Sequence, residues 1–134
     1  MQLTRKTEYA VRTLLELSQH PFGEVIPTKT IAKNRDIPEK FLSKTIQDLV
    51  RAGYVSTKRG SYGGIQLLKR PEDITLAQVL AVIEGPLAIN QCLGENGYCP
   101  RKPICNVHQV LHKAQNAFLK ELESVNFAEL ANPK

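Results

Sequence analysis

Apolar residues recur at intervals of three and four in the first segment of the chain, which predicts an amphipathic helix. Thr4 is suited to cap its N-terminus, and the pattern continues to about Ser18. The apolar stripe consists of Ala10, Val11, Leu14, Leu15 and Leu17. The segment 20–23, His-Pro-Phe-Gly, then interrupts the pattern, so the helix is expected to end before it.

A second, shorter helix is expected next. Its pattern begins with Thr28 as the cap, buries Ile31 and Ala32, and ends near Arg35. Asp36 and the isoleucine after it are expected to form a tight turn.

A third, longer helix follows this turn. Pro38 fits its first position, and Gly53 fits a left-handed cap at its end. The inner stripe is expected to be Phe41, Leu42, Ile46, Leu49 and Val50. A short helix, a tight turn and a longer helix are together typical of a helix-turn-helix.

The hydrophobic period then changes from that of a helix to that of a hairpin. Residues 54–57 and 65–68 are rich in aromatic and β-branched side chains and predict two strands. The turn between them, 58–64, contains three glycines beside Lys58, Arg59 and Tyr62. A hairpin directly after a helix-turn-helix predicts a wing, whose glycines let the backbone approach a phosphate closely.

Three more helices are predicted after the wing. Thr75 begins a capping-box sequence for a fourth helix, with Val79, Leu80 and Ile83 directed inward. A long helix runs from about Cys105 to about Ser124, and Asn126 fits the cap of a short final helix. The long helix carries an apolar stripe suited to an inter-subunit contact, formed by Val107, Val110, Leu111, Ala114, Phe118 and Leu122.

The predicted fold is therefore mainly α, a winged helix-turn-helix with a two-stranded hairpin and a long C-terminal dimerisation helix. Residues 1–84 are expected to form the DNA-binding domain, 85–104 a cysteine-containing loop, and 105–134 the dimerisation helix and tail. No apolar run approaches the roughly 18 residues that span a bilayer, and no signal-peptide pattern is seen. We therefore expect a cytoplasmic protein without membrane contact.

The charge distribution favours a nucleic-acid partner. The net charge is +5, but residues 1–70 hold 13 Lys or Arg against 6 Asp or Glu, whereas residues 71–134 hold 5 against 7. A basic half of this kind is typical of a phosphate-binding surface, although a solvated basic face would look the same. No P-loop, Ser/His/Asp motif or paired carboxylates are evident, so an enzyme is not expected.

Polar side chains on the third helix and on the wing are the predicted DNA contacts. On the helix, base edges and phosphates would be reached by Lys40, Ser43, Lys44, Gln47 and Arg51. Phosphate contacts that position the protein are expected from Arg5, Lys6, Thr28, Lys29 and Arg59. Ser61, Tyr62 and Gly63 complete the predicted contact set at the wing tip.

Three cysteines fall within one glycine- and proline-rich segment, at Cys92, Cys99 and Cys105. Thiolates are soft ligands that bind zinc, copper(I) or iron–sulfur clusters. Four interpretations remain open at this point. They are inert buried cysteines, a zinc site completed by His108, redox-sensing thiols with Cys99 or Cys105 as the resolving partner, and an iron–sulfur cluster. The zinc interpretation would make the chain a zinc-stabilised nucleic-acid-binding protein without a sensing role.

Taken as a whole, the chain resembles the IscR/NsrR/RirA family of bacterial regulators. The resemblance begins with Met1-Gln2-Leu3-Thr4 and Tyr9-Ala10-Val11-Arg12 and continues through Ala52-Gly53-Tyr54-Val55. It includes the wing, Arg59-Gly60-Ser61-Tyr62-Gly63-Gly64-Ile65-Gln66-Leu67, and the cysteine loop, and it ends with Phe127-Ala128-Glu129-Leu130. The wing and the cysteine loop together make the resemblance specific.

This resemblance implies a homodimer that binds palindromic double-stranded operators, with the long last helices crossing between the subunits. It also implies a two-iron or four-iron cluster on Cys92, Cys99 and Cys105. The expected function is a transcriptional regulator, most simply a repressor, whose cluster responds to nitric oxide, iron or cluster status, or redox stress.

The resemblance leaves two residues as possible fourth ligands. IscR-like members have a histidine where this chain has His108, but their first cysteine gap is five residues and here it is six. NsrR-like members take a carboxylate from the first helix of the partner subunit, where this chain has Glu8. Ser43 stands where IscR-like members carry a glutamate that tunes operator choice, so that behaviour is not transferred to this chain.

Overall fold

The computed structural model describes residues 3–94 and 105–132. Cys99 and the other residues of 95–104 lie outside the described residues. The elements, in chain order, are α1 (Arg5–Ser18), α2 (Thr28–Arg35), α3 (Glu39–Arg51), β1 (Val55–Lys58), β2 (Gly64–Leu67), α4 (Leu76–Glu84), α5 (Asn106–Glu123) and α6 (Phe127–Ala131). Short 3-10 turns at Pro71–Asp73 and Gln91–Leu93 flank α4. The predicted mainly helical winged fold is confirmed.

Helix α1 is the centre of the core and contacts most of the other helices. Its N-terminus is capped as predicted, because the Thr4 hydroxyl accepts a hydrogen bond from the Thr7 amide at 3.3 Å. Ala10, Leu14 and Leu17 are buried along its inner face. Burial of large aliphatic side chains contributes about 1.5–3 kcal/mol each to folding, so α1 holds the domain together.

Helices α2 and α3 form the predicted helix-turn-helix, with two corrections at their starts. Pro27 and Pro38 occupy the N-cap positions, so Thr28 is the first residue of α2 and not its cap, and Pro38 stands one position before α3. The chain turns between the two helices because Asp36 adopts a left-handed conformation, with φ of 52°. Asp tolerates this conformation better than most residues do. Ile37 then enters the core.

Strands β1 and β2 form an antiparallel pair in which Val55 faces Leu67 and Lys58 faces Gly64. Each begins or ends about one residue away from its predicted bound. The wing is anchored to the body because Ile65 exchanges backbone hydrogen bonds with Ile26, at 2.8 and 2.9 Å. A Cβ at Gly64 would lie 2.1 Å from the Ile26 carbonyl oxygen, so this close approach requires glycine.

The C-terminal helices close the domain. The capping box predicted at Thr75 is present, since Thr75 and Gln78 bond reciprocally at 3.0 and 3.2 Å. Asn126 caps α6 through a 2.9 Å bond from the Glu129 amide, and the Phe127 ring is completely buried. The described residues contain no helix with the length and apolarity needed to cross a membrane.

The predicted apolar stripes differ from the observed burial in α3 and α5. Phe41 and Val50 were expected inside, but 42% and 40% of their surfaces are exposed. In α5 only Gln115 is buried, whereas Val107 and Val110 are about two-thirds exposed. A single chain therefore leaves much of the α5 stripe uncovered.

A buried carboxylate joins α1 to α2. Glu16 is 5% exposed and accepts hydrogen bonds from Arg35 at 3.0 Å, His20 at 3.1 Å and Asn34 at 3.4 Å. Burial opposes the charge, but these hydrogen bonds outweigh it and hold the pKa of Glu16 below the ordinary 4.5. A lowered folded-state pKa adds stability above the ordinary pKa, and that stability is lost as the pH falls through the folded value.

We expect Glu16→Gln to lower the free energy of unfolding by about 1–3 kcal/mol at pH 7, because it weakens charge-assisted bonds in a buried network. The difference from the natural chain should shrink below pH 4.5, as acid protonates Glu16. Urea unfolding at pH 7 and at acidic pH measures this. Glu24→Gln is the matched control, because Glu24 also pairs with His20 but is about half exposed. An equal loss in both variants would contradict the argument.

Candidate nucleic-acid interface and cysteine site

A groove of about 740 Å³ separates the wing from the helix-turn-helix. The N-terminus of α2 forms one wall, α3 the floor, and the wing the other wall. The groove brings together several of the predicted DNA contacts, namely Thr28, Lys29, Ser43, Arg59, Ser61 and Gly63. These residues come from three separate segments, so only the folded chain assembles them.

The charge of this groove suits a phosphate backbone. Lys29, Lys58 and Arg59 line it, and none of the described residues that line it is acidic. The N-terminus of α2 adds partial positive charge, because Pro27 provides no side-chain cap for its first amides. A helix N-terminus with two lysines and an arginine around it has the charge that favours an anion.

The outer face of α3 carries the residues that would reach base edges. Lys40, Ser43 and Lys44 are exposed, and Gln47 follows them one turn further along the helix. The Ser43 hydroxyl donates to the Glu39 carbonyl at 3.1 Å, and the Lys40 ammonium lies 5.2 Å from the centre of the Phe41 ring. The predicted contact face of α3 is thus exposed to solvent. A cation–π interaction with the exposed Phe41 ring restrains the Lys40 ammonium.

The two basic residues at the start of α1 lie in a different depression. Arg5 and Lys6 line a cavity of about 660 Å³ between α1 and α3, together with Lys44, Tyr9 and Phe41. The Lys6 ammonium is 3.7 Å from a carboxylate oxygen of Asp48, which offsets part of its charge. The predicted contacts therefore form two basic areas on either side of α3, and Lys44 borders the second.

The wing tip projects into solvent. Tyr62 is 96% exposed, and the turn beneath it is closed by a 3.0 Å bond from the Gly63 amide to the Gly60 carbonyl. A Cβ at Gly63 would lie 2.3 Å from the Lys58 carbonyl oxygen, so this tight turn also excludes larger residues. The Tyr62 side chain therefore contributes little to the hydrophobic core.

Two of the predicted sulfur ligands meet at one histidine. Cys92 is buried, and its Sγ lies 3.2 Å from Nδ1 of His108 and accepts a 3.5 Å hydrogen bond from the side-chain Nδ2 of Asn90. Cys105 is the N-cap of α5, and its Sγ accepts the His108 backbone N–H at 3.4 Å. Within residues 3–94 and 105–132, no three His, Cys, Asp or Glu side chains are gathered closely enough to hold a metal ion. The third predicted sulfur, on Cys99, lies outside the described residues.

Glu8, the other possible fourth ligand, lies on α1 with its side chain about half exposed. Its carboxylate lies 3.8 Å from the Arg12 guanidinium, one turn along the same helix. Arg12 also donates to the carbonyls of Arg35 and Asp36 at 3.5 Å, at the end of α2. The Glu8 carboxylate is therefore accessible from solvent, and it lies beside a guanidinium that hydrogen-bonds to the end of α2.

One connection near the site was missed by sequence analysis. Glu84, the last residue of α4, accepts hydrogen bonds from the hydroxyls of Thr4 and Thr7 at the start of α1. These bonds lower the pKa of Glu84. Further along, the Ile89 amide donates to the buried Gln115 of α5 at 3.0 Å. The cap at Thr4 was visible in the sequence, but its partner 80 residues away was not.

Comparison with known proteins gives a family match across nearly the whole chain. The Rrf2 family, described as "Iron-dependent Transcriptional regulator", matches residues 3–133. The chain is 40% identical over 131 residues to the HTH-type transcriptional regulator NsrR of Geobacillus kaustophilus, covering 97% of this chain and 89% of that protein. It is also 33% identical over 130 residues to the protein rrf2 of Nitratidesulfovibrio vulgaris, covering 97% and 87%.

Solved structures agree with this match. The IscR of T. potens superposes with a TM-score of 0.77 at 27% identity, covering 97% of this chain and 85% of that one. CymR, the global cysteine regulator of B. subtilis, superposes with a TM-score of 0.72 at 25% identity, covering 98% and 96%.

Proposed function

The chain belongs to the Rrf2 family of transcriptional regulators, a non-enzymatic family, and from this premise we propose an iron–sulfur sensor that represses transcription as a homodimer on a palindromic operator. The observation that carries the sensing part is the meeting of Cys92 and Cys105 at His108. Thiolate and imidazole donors at the start of a long surface helix fit a metal centre better than they fit an apolar core.

In the proposed complex, α3 enters the major groove and the wing follows the backbone. Lys40, Ser43, Lys44 and Gln47 contact base edges and nearby phosphates. The remaining contacts go to phosphate and sugar and set the register, and they come from Arg5, Lys6, Thr28, Lys29, Arg59, Ser61, Tyr62 and Gly63. The basic groove and the NsrR and IscR relatives support this assignment.

The cluster, of two or four irons, would be held by Cys92, Cys99 and Cys105. When bound, it supplies a centre that nitric oxide, oxygen or iron starvation destroys. The described donors suit a cluster by their chemistry, because cysteine sulfur and imidazole nitrogen are ligands of iron, and the Cys92 and Cys105 sulfurs both hydrogen-bond to His108. His108 or the partner's Glu8 completes the ligand set.

The hydrogen bonds of Glu84 provide a route from the cysteine segment to the DNA contacts. The segment 85–94, which contains Cys92, follows directly after α4. Glu84, at the end of α4, is hydrogen-bonded to Thr4 and Thr7. Arg5 and Lys6 lie next to these threonines. A change in the path of the 85–104 loop therefore acts on the DNA-binding part, 1–84, and on the dimerisation part, 105–134, at once.

The sensing proposal is tested by purifying the protein anaerobically, recording its visible spectrum and measuring its iron, sulfide and zinc. Anaerobic conditions match the reducing cytoplasm in which we expect this chain to act. Visible absorbance bands with iron and sulfide in matching amounts are the expected result. A colourless protein with one zinc per chain would replace the sensor with a zinc-stabilised regulator, because the same sulfur and nitrogen donors suit zinc. DNA binding would remain in either case.

Lys29→Ala tests the DNA surface. Lys29 lines the groove, so its loss should weaken operator binding for all sequences and reduce the slope of log K against log salt by about 1 per subunit, or about 2 per dimer. Lys33→Ala is the matched control, since Lys33 is an exposed lysine one turn along the same helix that does not line the groove. Fluorescence anisotropy over a salt series measures both. Equal slopes in the two variants would contradict the proposed surface.

A further inference from the structure

The two described cysteines are linked through a single residue. His108 contacts the Cys92 sulfur with its ring at 3.2 Å and the Cys105 sulfur with its backbone N–H at 3.4 Å. Both sulfurs therefore hydrogen-bond to the same residue, one to its ring and one to its backbone. Cys92 is only 8% exposed, whereas Cys105 is half-buried and the more accessible of the two.

We propose that Cys92 and Cys105 form a disulfide when a peroxide oxidises the cluster-free protein, and that this disulfide blocks cluster assembly until a thiol reductant opens it. The inference rests on the proposed function only in that the same sulfurs would be cluster ligands. It adds a second, cluster-independent response to the same segment.

The chemistry balances without any group outside the two thiols and the peroxide. The Cys105 sulfur attacks hydrogen peroxide, an S–O bond forms, the O–O bond breaks, and hydroxide leaves as water with the thiol proton. The Cys92 sulfur then attacks the sulfenic sulfur, the S–S bond forms, the S–O bond breaks, and a second water leaves with the Cys92 proton. Two electrons pass from the thiols to the peroxide.

The surroundings of the two sulfurs favour this pairing. The more exposed Cys105 meets the peroxide first, and the buried Cys92 hydrogen-bonds to the same residue as Cys105 does, His108. The segment that carries Cys92 is bound to α5 by the Ile89–Gln115 hydrogen bond, so it stays close to the helix that begins after Cys105. Oxidation would remove two thiolates at once, and a disulfide sulfur is a poor metal ligand.

The test uses the full-length protein after anaerobic removal of metal. A brief exposure to hydrogen peroxide, alkylation of free thiols, digestion and mass spectrometry should show a Cys92–Cys105 cross-link. The Cys99→Ser variant should form the same cross-link. A cross-link that always includes Cys99, or none in Cys99→Ser, would overturn the proposal.

Rates distinguish a positioning role of His108 from a structural one. His108→Ala should slow disulfide formation at least about fivefold, which is the effect of losing one ordinary hydrogen bond. His108→Asn should recover most of the rate, because its side-chain amide lies near the former Nδ1. His112→Ala is the matched control, since His112 stacks on His108 one turn along α5, and it should react at the natural rate. Equal rates in His108→Ala and His112→Ala would remove His108 from the proposal.

The outcome is separable from that of the proposed function. The peroxide-treated protein should take up no iron and sulfide until dithiothreitol is added, and full uptake should follow. A protein that forms the cross-link but takes up no iron and sulfide even before peroxide would overturn the sensor proposal and the block on cluster assembly, and would leave the disulfide itself standing. A protein that takes up cluster equally well before and after peroxide would overturn only the disulfide.

Discussion

Replacing Cys105 by serine is expected to abolish the visible absorbance of the anaerobically purified protein and to leave it folded. Cys105 is the N-cap of α5, and serine is a preferred N-cap residue, so the hydrogen bond from the His108 amide should be kept. A hydroxyl is a far weaker ligand for iron than a thiolate, so the cluster should be lost. Iron and sulfide analysis measures the loss, and thermal unfolding checks the fold.

The control is a serine substitution away from the sulfur site. Ala117→Ser places a hydroxyl on an exposed position of α5 outside the apolar stripe and should leave the absorbance and the iron content unchanged. Full cluster in Cys105→Ser would show that the ligand assignment is wrong. Loss of cluster together with loss of cooperative unfolding would instead show that Cys105 is needed for the fold.

The same spectra assign the fourth ligand, which the sequence leaves open. His108→Ala and Glu8→Ala remove the two alternatives, one beside the sulfurs of its own chain and one on the exposed face of α1. Loss of the fourth ligand should shift the visible bands and speed cluster loss in air, whereas the other variant should keep the natural spectrum. Arg12→Ala provides a further check on Glu8, because it removes the guanidinium 3.8 Å from that carboxylate.

The parts of this fold that depend on local chemistry could be predicted from the sequence. Thr4, Thr75 and Asn126 each accept a hydrogen bond from an amide in the first turn, which is a property of the residue and its neighbours. The wing glycines follow the same logic, because tight turns exclude a Cβ whatever the rest of the chain does. The predicted starts of α2 and α3 differ by one position from the observed ones at Pro27 and Pro38. The fixed φ of proline suits both the N-cap and the first helical residue, so the sequence does not distinguish them.

What could not be predicted depends on distant residues. Phe41 fits the helical stripe of α3, but its ring lies at the edge of the cavity between α1 and α3 instead of the core. The Glu84 contacts with Thr4 and Thr7 join residues at the two ends of the winged domain, and no periodicity reports such a pair. The sequence shows that the cysteines lie close together along the chain. The contact of Cys92 with His108, however, depends on how the 85–94 segment packs against α5.

The uncovered face of α5 leads to the second large effect, on assembly. Val107 and Val110 are 64% and 65% exposed, and Phe118, two turns beyond Val110, is 36% exposed. Apolar side chains at these spacings on one helix form a stripe that is stable in water only when it is covered. The uncovered stripe and the Rrf2-family match support the proposal that a second copy of this chain covers it.

We therefore expect Val110→Asp to convert the proposed dimer to a monomer and to weaken operator binding by roughly 10²–10⁴-fold, because the two half-sites are then no longer bound by one molecule. A carboxylate buried in an apolar seam without a partner costs several kcal/mol, enough to disrupt an interface of ordinary size. Sedimentation velocity gives the mass, and anisotropy with full and half operators gives the affinities.

Asn116→Asp is the matched control, because Asn116 is exposed on the opposite side of α5 from the stripe and receives the same charge. It should remain dimeric and bind the full operator at nearly the natural affinity. Val110→Asp should bind a single half-site as well as the natural chain does, since the groove between α2, α3 and the wing is unchanged. A dimeric Val110→Asp would place the interface elsewhere, and a monomer with full operator affinity would show that one winged domain is sufficient.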